Sequence, residues 1–441
     1  MKRTWPEDLV AFLDFSGNQP NPAILSRASE RDWKMLLRWL DDSGMTLYFV
    51  DRIRQTGAAD SVPWWALSQM EQDLAANRDR MDYLWRRFAF LNREFEGAGI
   101  RYAALKGFSH VPEFCQDATL RHQGDLDYLV DEQSLPTAQR LLEEAGYRLK
   151  PPMSEQEFVY LLPNLGEPSL ARCYAPQFHA VELHLDVWDS DLNRLPMMDR
   201  MFSVNRTRMH AINGLAFPAL ADEDLFLLQV LHTCRHLFTY WIRMSHTYEI
   251  GYFLSRRATD SALWKRVEER VGDNFVLREL AVVVSEMVAK LFDAPLPDLI
   301  REWGEAVRPP VRVWIDHYAR YCAFWDLPVY RFNPFPRSKL TLFLHQQFGG
   351  SCAEANLVRN QLFAPTRLGR IKSAVKKDPS LVLSGKWWKR QRVLSRGAFH
   401  ALSGMRYTAE IPRWRWLNWK YRRSASPGSL MGTAVPGIKS A

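Results

Sequence analysis

The sequence has no apolar run long enough to cross a membrane and no recognisable secretion signal. A membrane-spanning helix needs roughly 20 consecutive apolar residues, and no such run occurs in this chain, whose mean hydropathy is −0.30. The N-terminal segment contains Glu7, Asp8 and Asp14 where a signal peptide requires an uninterrupted apolar stretch. We therefore expect a cytoplasmic protein, and association with the inner face of the membrane stays open.

Cysteine is also scarce, and its spacing excludes two classes of site. The five cysteines are odd in number, widely separated and free of any Cys-x-x-Cys pair. This spacing argues against a disulfide framework and against a zinc site made of thiolates, and it is typical of a reducing compartment. We expect most of these residues to be buried small apolar side chains. They are Cys115, Cys173, Cys234, Cys322 and Cys352.

Acidic residues are nearly missing from the C-terminal part of the chain. Between Arg367 and Arg423, 16 Lys and Arg face only Asp378 and Glu410, so this segment carries about +14 in a chain whose total is +8. The rest of the chain is therefore mildly acidic. The RWRWLNWKYRR pattern of this segment is compatible with stacking on nucleic-acid bases and with an anchor on an anionic membrane surface. It is equally compatible with tryptophans that pack on the body while Lys and Arg stay solvated.

The periodicity of apolar residues divides the chain into helical regions around a mixed region. Apolar residues recur every three to four positions from about 31 to 96 and again after Asp222, as in packed helices. Between them, the pattern predicts three strands and a helix, which places the fold in the α+β class: a small mixed sheet flanked by N-terminal and C-terminal helical regions. The predicted strands are 100–105, 125–130 and 180–188, and the helix is 135–145. The predicted division is 1–97 helical, 98–218 sheet core, 219–363 helical, 364–423 basic and tryptophan-rich, and 424–441 disordered.

Two aspartates lie inside the predicted strand DLDYLV. Asp125 and Asp127 point to the same side because side chains alternate along a strand, while Leu126 points to the other side. Two carboxylates this close repel each other and lose solvation when they are covered, so a compensating cation is expected. Magnesium takes hard oxygen ligands and commonly shares carboxylates with substrate phosphates. The pair therefore predicts a site for Mg²⁺ or Mn²⁺ that also holds a triphosphate.

A glycine and two cationic residues accompany this pair. Gly107 ends the preceding strand and lets backbone N–H groups approach phosphates without a side chain in the way. Lys106 and Arg121 are candidates for cationic contacts to the same anion, and Ser109 follows in the same loop. We therefore expect these four residues to bind the nucleotide.

A third carboxylate is expected from the strand VELHLDVWD. Glu182, His184 and Asp186 share one face of this strand. Glu182 is the preferred third ligand because it lies deepest in the apolar run, and Asp186 is the alternative. Three carboxylates can hold two ions about 4 Å apart, which aligns the attacking and leaving oxygens of an in-line displacement. His184 is expected to orient a substrate or a carboxylate.

Two histidines lie on the helix predicted after Asp222. His232 and His236 are four residues apart and share one helical face. Zinc enzymes with this spacing carry a glutamate directly after the first histidine, but Thr233 stands there, and the sequence shows no evident third ligand. We expect the two histidines to pack against the core or to contact the nucleotide rather than to bind metal.

In their order along the chain, these segments resemble the nucleotidyltransferase fold superfamily. The resemblance rests on LKG at 105–107, GDLDYLV at 124–130, a helix ending in GY at 146–147, VELH at 181–184 and the later LHTCRH helix. Over roughly residues 84–254 the chain is similar to a bacterial family described as uncharacterised nucleotidyltransferases. In that superfamily, paired aspartates hold Mg²⁺ and a nucleoside monophosphate passes from an NTP to an acceptor with release of pyrophosphate.

The resemblance implies roles for individual residues. Asp125 and Asp127 would bind metal, and Gly107 would contact phosphate. Glu182 would bind metal or act as a base. Many members carry a Gly-Ser pair in the first loop, whereas here Phe108 follows the glycine.

Two rival functions stay open on the sequence alone. A protein that keeps this fold without catalysis would dock on RNA, a membrane or a protein partner through its basic C-terminal segment. A kinase-like transfer of the γ-phosphoryl group would use a similar metal site. The acceptor of a nucleotidyl group stays open among protein, peptide, RNA and small molecule, because fold does not fix substrate. The preferred NTP and the oligomeric state are not predicted.

Overall fold

The computed structural model describes residues 5–17, 21–150, 156–163, 179–188, 200–239, 242–325, 338–349, 355–356, 358 and 387–424. Within them, helices predominate and seven strands form one mixed sheet. The prediction of an α+β fold, with helical regions before and after a small mixed sheet, is confirmed. Apart from its first residue, the tail predicted to be disordered lies outside the described residues.

The α-helices of the described residues are α1 (Trp5–Phe12), α2 (Ala23–Ser26), α3 (Glu30–Ser43), α4 (Thr46–Thr56), α5 (Trp64–Gly97), α6 (Leu135–Glu144), α7 (Asp222–Phe238), α8 (Met244–Arg257), α9 (Ser261–Val271), α10 (Phe275–Phe292), α11 (Asp298–Glu305), α12 (Pro309–His317), α13 (Ala319–Trp325), α14 (Thr341–His345) and α15 (Trp387–Ser424). The strands are β1 (Tyr102–Ala104), β2 (Asp125–Val130), β3 (Arg148–Leu149), β4 (Glu157–Leu161), β5 (Ala180–His184), β6 (Thr207–Ile212) and β7 (Leu215–Leu220).

The strand that carries the two aspartates lies in the middle of the sheet. The order is β3-β4-β5-β2-β1-β7-β6. β2 pairs in parallel with β5 and antiparallel with β1. Outside this centre, β4 runs antiparallel to β5, β7 runs parallel to β1, and β6 runs antiparallel to β7. Because β2 has a backbone partner on both sides, its side chains are held in a fixed register with those of β5.

The predicted strands are right in position and partly wrong in length. β2 spans the predicted residues, whereas β1 is shorter than predicted. β5 ends at His184 rather than at Trp188, because the Asp186 carboxylate accepts hydrogen bonds from the backbone N–H groups of Trp188 and Arg200 and ends the regular pairing. The sequence pattern does not predict β3, β4 or β6, and β7 corresponds to a segment expected only to be extended.

The two faces of the sheet have different surroundings. On one face, Leu126 and Tyr128 of β2 belong to an apolar cluster with α5 and with Leu142 of α6. On the other face, Leu129 belongs to a second cluster that includes Phe226 of α7 and the helices after it. The centre of the sheet is therefore covered on both sides, and a charged group on the second face occupies an interior position.

The long helix α5 holds the loop that leads into β2. Asn77 is buried and donates from Nδ2 to the carbonyl oxygens of Thr119 at 2.7 Å and Arg121 at 3.2 Å. Arg80 is 1% exposed and donates to the carbonyl oxygen of Gln123 from Nε at 3.0 Å and from Nη2 at 2.7 Å. Buried carbonyl groups of a loop need donors. These contacts therefore set the path by which the chain enters the strand.

A buried carboxylate joins the sheet to the helices that follow it. Asp224 in the first turn of α7 is fully buried. It accepts from Arg206, which directly precedes β6, at 2.7 Å and from Arg270 of α9 at 2.6 Å. Two charge-assisted hydrogen bonds offset the cost of burying one carboxylate. They hold α7 against both the edge of the sheet and α9.

The C-terminal helix α15 packs on the body only in part. Trp414 stacks on Phe343 of α14, with the ring centroids 4.7 Å apart. Trp416 and Trp419, in contrast, are 54% and 52% exposed, and the Lys420 ammonium lies 5.6 Å from the ring centre of Trp416. Packing on the body thus accounts for one of these three tryptophans. In the part of the chain that the structure describes, no helix combines the length and the apolar character needed to span a membrane.

Removal of the Arg80 side chain should destabilise the fold. In Arg80→Ala the carbonyl oxygen of Gln123 loses both donors while it stays buried, so we expect the free energy of unfolding to fall by about 2–3 kcal/mol. Urea unfolding followed by circular dichroism measures this change. Arg93→Ala, at an exposed position of the same helix, is the control and should change it by less than about 0.5 kcal/mol. Equal effects of the two substitutions would contradict the role assigned to Arg80.

Candidate active site

Three neighbouring strands bring predicted site residues from separate parts of the chain together. The parallel register of β2 and β5 places Glu182 directly beside Asp127. β1 ends next to the start of β2, where the backbone N–H of Leu105 donates to the carbonyl oxygen of Asp127 at 3.0 Å. Lys106 follows at once in the chain, and its side chain contacts the Asp127 carboxylate. The sheet therefore assembles two carboxyl groups and a cation at one point.

The contacts of this group are close and largely buried. The Nζ of Lys106 lies 3.1 Å from Oδ1 of Asp127. The Nε2 of His184 lies 3.4 Å from the same oxygen and 3.6 Å from Oε2 of Glu182. One ligand atom each from Asp127, Glu182 and His184 lies within 4.8 Å of the other two. We call these three residues and Lys106 the carboxylate site, and its most exposed side chain, Glu182, is only 18% exposed.

The charges in the carboxylate site are determined by their neighbours. Burial alone would raise the pKa of Asp127, but the Lys106 ammonium and the His184 ring hold the pKa of that carboxyl well below its usual range. Burial also opposes protonation of His184, yet its contacts with Asp127 and Glu182 raise the pKa of this imidazole to about 9. At neutral pH an ammonium and an imidazolium therefore face the two carboxyl groups. They provide compensating positive charge for Asp127 and Glu182.

Asp125 is the least compensated carboxyl group of this region. It lies on the same face of β2 as Asp127, but its strand partner is Ala180 rather than Glu182, and it stands outside the group of three ligand atoms. Burial, followed by the negative charges of Glu182 and Asp127, raises the pKa of Asp125 well above its usual range. A cation bound nearby would reverse this preference, because it would favour the ionised form.

The turn after β1 is packed tightly around Gly107. This residue has a φ of +71°, and a Cβ added to it would lie 2.2 Å from Nε2 of Gln123. Both observations require glycine at this position, whatever the turn binds. Ser109, in the same 3-10 turn Gly107–His110, is fully buried, and its hydroxyl has no hydrogen-bond partner among the described residues. The turn therefore keeps one buried polar group with unused hydrogen-bonding capacity.

Arg121 is engaged by a different carboxylate. Its Nε lies 3.0 Å from Oε1 of Glu249 on α8, and the same oxygen accepts from the Tyr48 hydroxyl at 3.0 Å. The Nδ1 of His110 lies 3.8 Å from the other carboxylate oxygen. Burial opposes the charge of Arg121, but the charge and hydrogen bond of Glu249 together with the nearby Tyr48 outweigh it, and the pKa of the guanidinium is raised. Arg121 thus joins the loop before β2 to α8 through its Nε atom.

The remaining predicted residues lie outside the group of three ligand atoms. Asp186 accepts hydrogen bonds from backbone N–H groups just beyond β5. His232 and His236 lie side by side on α7, and His246 of α8 joins them. The sequence pattern does not single out His246. The sequence shows only that a third histidine follows ten residues after His236. Whether it lies near the other two depends on how the chain turns between the two helices.

The carboxylate site has the donor chemistry of a divalent-cation site. Carboxylate oxygens from Asp127 and Glu182 are hard ligands that suit Mg²⁺ and Mn²⁺, and Asp125 on the same face offers a third. His184 is protonated in this arrangement, so its nitrogen becomes a ligand only after it loses that proton. The residues present therefore fit a cation held by carboxylates, with Lys106 and His184 supplying the positive charge in its absence.

Replacement of Asp125 by Asn should stabilise the metal-free fold. The substitution removes a carboxyl group crowded by Asp127 and Glu182, so at pH 8 with EDTA we expect the unfolding free energy to rise by about 1 kcal/mol. This gain should shrink as the pH falls through the folded-state pKa of Asp125, because the protonated acid is as neutral as asparagine. Thermal and urea unfolding across pH measure both effects.

The matched control is Asp131→Asn just beyond the other end of β2. The Asp131 carboxylate accepts from the backbone N–H of Ser134 at 2.7 Å, and hydrogen bonds from Ser134 together with Arg101 lower its pKa despite partial burial. Its replacement should therefore destabilise the protein. A loss of stability in Asp125→Asn of the same size as in Asp131→Asn would contradict the repulsion inferred at Asp125.

Comparison with known proteins agrees with the resemblance seen in the sequence. No curated protein matches the chain. Residues 29–292, more than half of the chain, match a protein family described as uncharacterised nucleotidyltransferase. The match begins at Ser29, which caps α3, and ends with the last residue of α10, so it contains the sheet, the carboxylate site and helices α7 to α10. The chain belongs to this uncharacterised nucleotidyltransferase family.

Proposed function

We propose that this nucleotidyltransferase is metal-dependent, and that it moves a nucleoside monophosphate from an NTP to an acceptor and releases pyrophosphate. The observation that carries the proposal is the pairing of Asp127 with Glu182 on adjacent parallel strands, with the Lys106 ammonium 3.1 Å from Asp127. Family membership supports the reaction class. The metal, the nucleotide and the acceptor are the parts that the proposal adds.

The proposed metal is Mg²⁺ or Mn²⁺, with Asp125, Asp127 and Glu182 as ligands. When bound, such an ion supplies positive charge to the triphosphate and polarises the reacting phosphoryl group. Lys106, whose ammonium lies 3.1 Å from Asp127, would contact phosphate oxygens of the bound nucleotide. His184 contacts the carboxylates of both strands and keeps them in one orientation. The motivation is the interior position of these carboxyl groups, since isolated buried charge is costly.

In the proposed step an oxygen of the acceptor attacks the α-phosphorus of the NTP. A new P–O bond forms, the bond between the α-phosphorus and the bridging oxygen of the β-phosphate breaks, and pyrophosphate leaves with the bonding electron pair. The proton of an attacking hydroxyl passes to a base. Glu182, as the most exposed carboxylate of the site, is proposed either to complete the metal ligands or to accept this proton.

The turn after β1 is proposed to hold the triphosphate. Gly107, whose φ of +71° suits glycine, is proposed to let backbone N–H groups reach the phosphates, and the buried hydroxyl of Ser109 is a further donor without a partner among the described residues. Arg121 enters the proposal as a positioning residue rather than as a phosphate ligand, because its guanidinium is paired with Glu249. It keeps the loop before β2 in place from the side of α8.

A docking protein without catalysis is the alternative that α15 favours. Trp416 and Trp419 are half exposed, and the Arg423 guanidinium lies 4.2 Å from the ring centre of Trp419. Exposed aromatic rings interleaved with cations suit an anionic partner such as RNA or a membrane surface. Such a surface is also compatible with catalysis, and would then help to select the acceptor.

Tracing the label from the nucleotide to the acceptor tests the proposal directly. With Mg²⁺ and a cell extract, the full-length protein should transfer label from an α-labelled NTP to an acceptor, whereas γ-label should leave with pyrophosphate. Transfer of the γ-label alone would identify a kinase-like reaction and contradict the proposal. Asp127→Asn should lower α-label transfer by roughly a thousandfold, because it removes a metal ligand.

The controls separate loss of chemistry from loss of fold. Asp131→Asn removes a carboxylate just beyond the opposite end of β2 and should keep near-full activity at temperatures below its melting point. Wild-type protein should also gain thermal stability from an NTP with Mg²⁺ or Mn²⁺, and Asp127→Asn should lose that gain. If none of the four NTPs stabilises the wild type with either metal and no acceptor becomes labelled, the docking alternative is favoured.

A further inference from the structure

Three histidines from two helices meet outside the carboxylate site. His232 and His236 lie one turn apart on α7, and His246 lies in the first turn of α8. The ring centres are 4.4, 4.8 and 4.8 Å apart. One ring nitrogen from each residue lies within 4.8 Å of the other two. We call these residues the histidine cluster.

The nitrogens of the cluster are close to the spacing that a tetrahedral metal imposes. The Nε2 atoms of His232 and His236 are 3.0 Å apart. Two nitrogens bound to zinc at about 2.0–2.1 Å with a tetrahedral angle are separated by roughly 3.3 Å. A shift of a few tenths of an ångström would therefore bring this pair to metal-binding distance. His246 lies on a second helix, α8, and one of its ring nitrogens is within 4.8 Å of this pair.

In two of the three rings, those of His232 and His246, the surroundings disfavour the protonated form, which would repel a metal. Burial, together with nearby positive charges that include Lys106, lowers the pKa of both His232 and His246 well below the usual value. The Nδ1 atoms of these two rings are buried and have no hydrogen-bond partner among the described residues. Buried polar atoms usually have a partner. For His232, whose Nε2 faces His236, a bound metal would fix the ring proton on this Nδ1, and for His246 the Nδ1 itself can serve as the ligand atom.

We propose that His232, His236 and His246 form a transition-metal site, for Zn²⁺ or a similar ion, that is chemically distinct from the carboxylate site. Three imidazoles suit zinc, whereas Mg²⁺ prefers oxygen ligands. Three protein ligands leave a fourth position for water or an anion. The positive charges of Arg235 and Arg243 nearby favour an anionic group there, such as hydroxide or a phosphate oxygen. The proposal does not depend on nucleotidyl transfer.

Cobalt is the probe that tests this site, because tetrahedral Co²⁺ with nitrogen ligands absorbs visible light. The full-length protein, freed of metal with a chelator, should bind one equivalent of Co²⁺ with this absorption, and Zn²⁺ should displace it while excess Mg²⁺ should not. His246→Asn and His236→Asn should each weaken binding by roughly a hundredfold or more, since each removes one of three ligands. Asp127→Asn should leave the absorption unchanged.

Two outcomes would overturn the proposal. Wild-type protein that shows no visible absorption with Co²⁺ and retains no zinc after dialysis has no such site, and this result needs no variant. Equal Co²⁺ affinity in the wild type and in both histidine variants would place the metal elsewhere, provided that circular dichroism shows the variants to be folded. If the wild type binds Co²⁺ in this way but transfers no nucleotidyl group to any acceptor, the proposed transfer reaction is contradicted and the histidine site is supported.

Discussion

The balance of charge around Asp127 is the constraint on which the rest of the site depends. A buried carboxylate is costly unless it is paired, and Asp127 is only 8% exposed. Its partners come from two different segments, with Lys106 just after β1 and His184 at the end of β5. All three strands must therefore be in register before the charge is compensated. Assembly of the sheet in its correct register therefore also assembles the carboxylate site.

Local alternation explains what could be predicted from the sequence. The bounds of β2, the shared face of its two aspartates and the apolar opposite face all follow from a period of two along one short segment. The same period places Glu182 and His184 on one face of β5. The pairing of β2 with β5 adds the register between strands, and the choice of Glu182 over Asp186 agrees with Glu182 lying opposite Asp127. Its role as a metal ligand stays a prediction.

The parts that could not be predicted depend on contacts between distant segments. Arg121 lies beside the aspartates in sequence, yet its guanidinium pairs with Glu249, 128 residues away. No local sequence pattern shows whether Arg121 pairs with the aspartates of β2 or with Glu249 of α8. The same holds for His246, which joins His232 and His236 only because α8 returns alongside α7. The outer strands β3 and β6 have short or mixed apolar patterns, since an edge strand is less buried than a central one, and periodicity is then a weak guide.

The family match includes the carboxylate site and excludes the basic C-terminal segment. The match ends at Phe292, so the sheet, the carboxylate site and the histidine cluster all lie within it, whereas the segment Arg367–Arg423 lies beyond. The main charges that shift the pKa values of Asp125 and Asp127 come from the carboxylate site itself and from Arg80 of α5, not from α15. The physical effect of the exposed cations of α15 is to attract an anionic surface or molecule to a body that is itself mildly acidic. Under the proposed function, with α15 helping to select the acceptor, acceptor choice and catalytic chemistry would be carried by different parts of one chain.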